Sequence, residues 1–113
     1  MIKIKRIYDQ ASPGDGKRIL VDRLWPRGIK KEDAAVDEWL RDIAPSNELR
    51  KWYSHDPAKW GEFKKRYKME LKDRTEIIDR LREESEKRTI TLLFSAKATE
   101  LNNAVALKEF IER

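Results

Sequence analysis

The chain has no cysteine, a single histidine (His55) and a single glutamine (Gln10) among 113 residues. Without cysteine there is neither a disulfide framework nor a thiolate metal site. One imidazole is too few for a transition-metal centre, so no cofactor and no such metal is expected, with only a carboxylate site for Mg²⁺ left open. No apolar run approaches the roughly 18 residues of a membrane span, and the start "MIKIKRIYD" lacks the apolar stretch of a signal peptide. A soluble cytoplasmic protein without a membrane partner is the simple reading. Familiar catalytic signatures are missing too: no P-loop, no G-x-G-x-x-G, no H-E-x-x-H and no G-x-S-x-G.

What is abundant is charge. Charged residues make up 42% of the chain, against about a quarter in an average domain. Hydrophobic residues still reach 39%, and four Trp, three Tyr and three Phe add large buriable surfaces, so the chain is expected to fold as one domain over residues 1–113. The scarcity of glutamine beside plentiful Lys, Arg and Glu resembles proteins that rely on surface charge networks at high temperature. The net charge of +5 raises a nucleic-acid hypothesis. However, the 26 basic residues are interleaved with 21 acidic ones, the pattern of a mixed solvated surface.

Residues 2–8, "IKIKRIY", alternate as a half-buried strand does. The Gly- and Pro-rich "ASPGDGK" (11–17) reads as a loop and "RILVDRL" (18–24) as a second strand, ended by Pro26 and Gly28. So short a link leaves the two strands either antiparallel neighbours or separated by a third. Ala35, Val36, Trp39, Leu40 and Ile43 lie at helical spacing, predicting a helix over 31–43. Ser46 is a good N-cap for the next helix, and "SHDP" (54–57) starts another, with Asp56 as N-cap and Pro57 first inside. Trp60, Phe63, Tyr67 and Leu71 continue its apolar stripe, with a break expected near residues 73–75. "TITLLFS" (89–95) reads as a strand buried on both faces, and a last helix follows from about Thr99. The expected fold is α/β: a three-stranded, at least partly parallel sheet in the order β-β-α-α-α-β-α, with helices packed on it.

Ligands of open α/β sheets bind beyond the carboxyl ends of the strands. The second predicted strand ends in "VDRLWPRG" (21–28), which delivers Asp22, Arg23, Trp25 and Arg27. The last strand delivers Ser95 and Lys97 and leads to Asn102 and Asn103 at a helix start. Arginine forks and helix N-termini suit phosphate or carboxylate. Asp22 is the candidate acid or base and Ser95 the candidate nucleophile, while Trp25 offers a stacking surface and the asparagines can read an amide or base edge. Each has a structural counterpart: ion-pair anchor, core plug, strand-end hydrogen bond, cap.

"RILVDRLWPRG", the "APSNELR" segment (44–50) and "TLLFSAKATELNNAVALKEFI" together resemble the YeaO-like family, a prokaryotic domain of unknown function. The resemblance implies a small α/β domain and brings no activity, substrate or cofactor with it. It marks Asp22, Arg23, Arg27, Ser46, Arg50, His55, Ser95, Lys97 and Asn102 as the family's recurring polar positions. The leading expectation is a cleft for a phosphorylated or nucleotide-like anion, with turnover undecided. The alternatives are a nucleic-acid module using Lys3, Lys5, Arg6, Lys30, Lys31, Lys64, Lys65 and Arg66, and a protein-interaction or regulatory domain. The oligomeric state is left open.

Overall fold

The run "ITLLF" forms the central strand of the sheet, buried along its whole length. A computed structural model describes residues 1–113. Its strands are β1 (Ile2–Arg6), β2 (Lys17–Leu20), β3 (Glu38–Trp39) and β4 (Ile90–Phe94), all parallel and in the order β1-β4-β2-β3. The helices are α1 (Lys31–Ala34), α2 (Asn47–Tyr53), α3 (Trp60–Leu71), α4 (Thr75–Lys87) and α5 (Asn103–Ile111). The first two strands are thus parallel and split by β4, one of the two arrangements the short link allowed.

The sheet has four strands where three were expected, because the predicted 31–43 helix does not form. It stops after one turn at Ala35, whose φ of 52° is left-handed. The buried guanidinium of Arg18 takes the carbonyls that further turns would need, donating to Ala34 O and Ala35 O at 3.2 and 2.9 Å. The chain then extends along the open edge of β2: Asp37 N–H donates to Arg18 O and Leu40 N–H to Leu20 O. Val36 and Trp39 pack against the far face of the sheet rather than on a helix stripe. A satisfied sheet edge outweighs helical spacing here.

Two other boundaries move. The second strand is shorter than 18–24 and gives way to loop after Leu20, with Val21 N–H still bonded to Leu93 O. The last helix begins at Asn103 rather than near Thr99, capped by the Asn102 side chain accepting from Val105 N–H at 3.0 Å. The Ser46 and Asp56 caps, Pro57 in the first turn, and the break at residues 72–74 are all found. Gly16 is required where it stands: at φ 63° its missing Cβ would lie 2.1 Å from Thr89 O.

One face of the sheet carries the main core, where Ile19, Val21, Leu92 and Phe94 meet Leu49, Phe63, Tyr67, Leu81 and Leu107 of the helices. The other face is thinly covered by α1 and the 25–36 loop, around Ile7, Leu20, Ala34 and Leu93. A charge network closes the amino end of the sheet. Lys17 meets Glu38 and Glu84 at 3.0 and 2.9 Å, and Arg80 meets the same two carboxylates at 2.7 Å each. The Arg80 hydrogen bond, opposed by partial burial and aided by Lys17, lowers the Glu38 pKa. The helical layer therefore rests on one face, and the carboxyl ends of β1, β4 and β2 share one open edge.

Candidate functional site

Because β2 and β4 are parallel neighbours, Asp22 and Ser95 emerge side by side from the sheet edge. Ser95 donates both its N–H and its hydroxyl to Asp22 Oδ2, at 2.9 and 2.6 Å. Asn103, in the first turn of α5, donates through Nδ2 to Val21 O at 3.0 Å and to Asp22 Oδ1 at 3.1 Å. One carboxylate thus ties two strand ends to a helix start. Arg6, at the end of β1, holds the 95–96 backbone from the other side, donating to Ala96 O and Ser95 O at 3.0 and 3.3 Å.

The facing wall comes from the 44–45 loop and the end of α2. Arg23 secures the loop, its Nε and Nη2 donating to Pro45 O and Ala44 O at 3.3 and 3.1 Å. Beyond α2, Ser54 and His55 both adopt positive φ, 46° and 56°, two consecutive non-glycine residues in the left-handed region. Such conformations are uncommon. Asp56–Pro57 sets the next helix in a new direction, so the reversal falls on the two residues before it. Tyr53 anchors the wall by donating to Leu101 O at 3.0 Å, and its ring stacks on Phe63 at 4.4 Å. Burial, then the Asp56 charge, raises the Tyr53 pKa, so the phenol remains a donor at neutral pH.

Between these walls lies a cleft of about 330 Å³. It gathers Asp22, Arg23, Arg50, His55, Ser95, Asn102 and Asn103 from the predicted set. Four predicted residues lie elsewhere. Trp25 turns to the thin side of the sheet, its ring 5.4 Å from Trp39 and its Nε1 donating to Ile29 O at 2.6 Å. Arg27 sits on an exposed turn before Gly28, and its carbonyl accepts from Tyr8. Ser46 faces Glu70, donating from N–H and hydroxyl at 2.9 and 2.6 Å, while its Oγ caps α2 through Leu49 N–H. Lys97 is exposed beyond the cleft lining. Trp25, Arg27 and Lys97 diverge because the segments after Asp22 and Ser95 leave the sheet edge, whereas Ser46 is drawn away by Glu70. Ser46→Ala is expected to lower stability by about 1–2 kcal/mol, through the lost cap and the stranded Glu70 bonds, read as a lower urea midpoint.

The lining also includes residues that the sequence reading did not select, chiefly Lys51, Ser54 and Phe63. Lys51 had a signal in hindsight, since it follows Arg50 on the same helix end. Phe63 had none, because its spacing reads simply as core. Across the cleft three cations, Arg23, Arg50 and Lys51, face one carboxylate, Asp22. None of the three forms an ion pair with a carboxylate. Asp22 and Ser95 are joined directly, without an imidazole between them to pass a proton on as in a hydrolase triad. No cluster of three or more His, Cys, Asp or Glu side chains converges to hold a metal ion.

Residues 1–113 match the family described as the inactive DUF488-N3 subclade. The chain belongs to this family. It is 46% identical over 110 residues to the uncharacterized protein YeaO of Escherichia coli (strain K12), covering 97% of this chain and 96% of that one. It is 37% identical over 110 residues to the uncharacterized protein Rv3073c of Mycobacterium tuberculosis (strain ATCC 25618 / H37Rv), covering 97% and 92%. The YeaO-like resemblance seen in the sequence is borne out. No solved structure matches the chain. No helix is long and apolar enough to cross a membrane.

Proposed function

We propose that this domain binds a small anion in the cleft at the carboxyl ends of its strands. The observation that carries the reading is the pair Arg50 and Lys51, two exposed cations without a carboxylate partner, beside an Arg23 whose Nη1 makes no protein hydrogen bond. Elsewhere on the surface, three of the eight cations named for a basic face are held in ion pairs, while Lys30, Lys31 and Lys65 form none. Lys5 pairs with Asp15, Lys64 with Glu109 and Arg66 with Glu62. These pairings favour a local anion site over an extended nucleic-acid face.

Binding rather than turnover is the better-supported role. The family's description as inactive points the same way, and no imidazole stands between Ser95 and Asp22 to relay a proton. Arg50 and Lys51 would meet the anion at the mouth, and Arg23 would add a third donor from the loop wall. Phosphate, sulfate, nucleotides and sugar phosphates should be screened by thermal shift on the wild type and on Arg50→Ala. A saturating ligand is expected to raise Tm by a few degrees in the wild type, and the variant should lose at least half of that shift. No shift with any anion in the wild type would sink the reading.

A further inference from the structure

Along the inner wall of this cleft the side-chain hydrogens of Ser95 and Asn103 are already committed. Ser95 has one backbone and one hydroxyl hydrogen, and both go to Asp22 Oδ2. Asn103 has two amide hydrogens, matched by Val21 O and Asp22 Oδ1. Both partners of that amide only accept, so the nitrogen must face them and Asn103 Oδ1 must point away. Asn103 Oδ1 receives no protein donor, and since no buried side-chain nitrogen or oxygen is unpartnered, it is open to solvent. Asp22 Oδ1 holds one donor and keeps a lone pair, and Ser95 Oγ keeps its own. The side chains of Asp22, Ser95 and Asn103 on the inner wall therefore present three acceptors and no free donor.

The mouth is the opposite. Arg50 and Lys51 carry only donors, as does the unengaged Nη1 of Arg23. A bare anion fits the mouth but sets its oxygens against more oxygens inside. A ligand that ends in an anion and carries several hydroxyl donors satisfies both walls. The cleft volume of about 330 Å³ lies at the small end of ligand pockets, suited to one compact molecule.

The geometry points to a phosphate monoester of a polyhydroxylated carbon skeleton, its phosphate at Arg50 and Lys51 and its hydroxyls donating to Asp22, Ser95 and Asn103. The inference rests on the anion reading above and names the ligand class for that same site. A free sugar phosphate and the ribose phosphate of a nucleotide share this chemistry.

Isothermal titration of the wild-type protein with ribose 5-phosphate and with propyl phosphate isolates the hydroxyls, because both ligands carry the same anion. Ribose 5-phosphate is expected to bind on the order of tenfold tighter, the worth of one or two net hydrogen bonds. Asn103→Ala, its fold checked by circular dichroism, should shrink that ratio severalfold and leave propyl phosphate within about twofold of the wild type. Adenosine 5′-monophosphate separates the sources: tighter binding than ribose 5-phosphate assigns a nucleotide, equal or weaker binding a free sugar phosphate. Equal affinity for ribose 5-phosphate and propyl phosphate would overturn the hydroxyl-reading wall and leave the anion site standing. A preference that survives Asn103→Ala unchanged would also overturn it. Binding of neither ligand would remove both.

Discussion

Asp15→Ala is expected to destabilise the domain by about 3–5 kcal/mol, the usual consequence of leaving a buried charge without its partner. Asp15 and Arg18 are both buried, 4% and 5% exposed, and meet at 2.5 Å. The same carboxylate accepts from Ser12 N–H and Oγ at 3.0 Å each and from Lys5 Nζ at 3.1 Å. Removing it strands a guanidinium whose remaining nitrogens are fixed on Ala34 O and Ala35 O. Arg18 is thereby held in place and has no route to solvent. It also ends α1, so the damage should spread to the junction where β3 begins.

Asp15 has a pH signature as well. Burial alone would raise its pKa, but the Ser12 N–H, Lys5, the Ser12 hydroxyl and Arg18 together hold the carboxyl well below the usual carboxylate range. A group with a depressed folded pKa stabilises the fold above its unfolded pKa, about 4. That stabilisation declines as pH falls through 4 toward the folded value. The stability gap between the wild type and Asp15→Asn, read by urea denaturation from pH 7 to pH 2, should therefore be constant above about pH 5 and narrow below pH 4. A gap that does not change across this range would mean that the carboxylate is not held as described.

Phe63→Ala is expected to be as damaging, about 3–5 kcal/mol, because a large buried ring leaves both lost contacts and a cavity. Phe63 is 2% exposed and stacks between Tyr53 at 4.4 Å and Trp60 at 5.6 Å. It also borders the cleft, beneath the α2 end that carries Arg50 and Lys51. The variant should thus lose anion-induced stabilisation along with stability, even though the ring makes no polar contact. Phe63→Leu keeps most of the volume and should lose about 1–2 kcal/mol. Denaturant midpoints for the two variants give the comparison. Losses below 1 kcal/mol for Phe63→Ala would contradict a ring packed between Tyr53 and Trp60.

Local chemistry was legible wherever it acts within a few residues. Ser46 and Asp56 as caps follow from side chains bonding their own backbone neighbours, and Pro57 in a first turn from its fixed φ, both short-range effects. The apolar centre of β4 announced a strand buried on both faces for a similar reason, since its composition leaves no side for water. The 31–43 segment was misleading because its apolar spacing suits a helix, while its actual partners lie in β2, some twenty residues earlier. Arg18 supplied the deciding bonds, and a basic residue inside a strand-like run carries no local sign of what it will cap.

The candidate site divides along the same line. From the sequence came the two polar strand ends, and with them Asp22, Ser95 and the asparagines that cap and open α5. Proximity along the chain made Trp25 and Arg27 look like members of the same site, but a turn at Gly28 and an indole donating to Ile29 O place them on other surfaces. Only the tertiary structure set Ser95 against Asp22, since their hydrogen bond spans 73 residues and exists because β4 inserts beside β2. It alone brought Arg50 and Lys51 across from the strand ends, on a helix tied at its start by Arg23 and at its end by Tyr53. Sequence determined which groups the chain can offer, because capping, burial and turn chemistry act locally. Tertiary structure decided which of them share a cleft, because strand order and loop exit directions depend on contacts made across the whole chain.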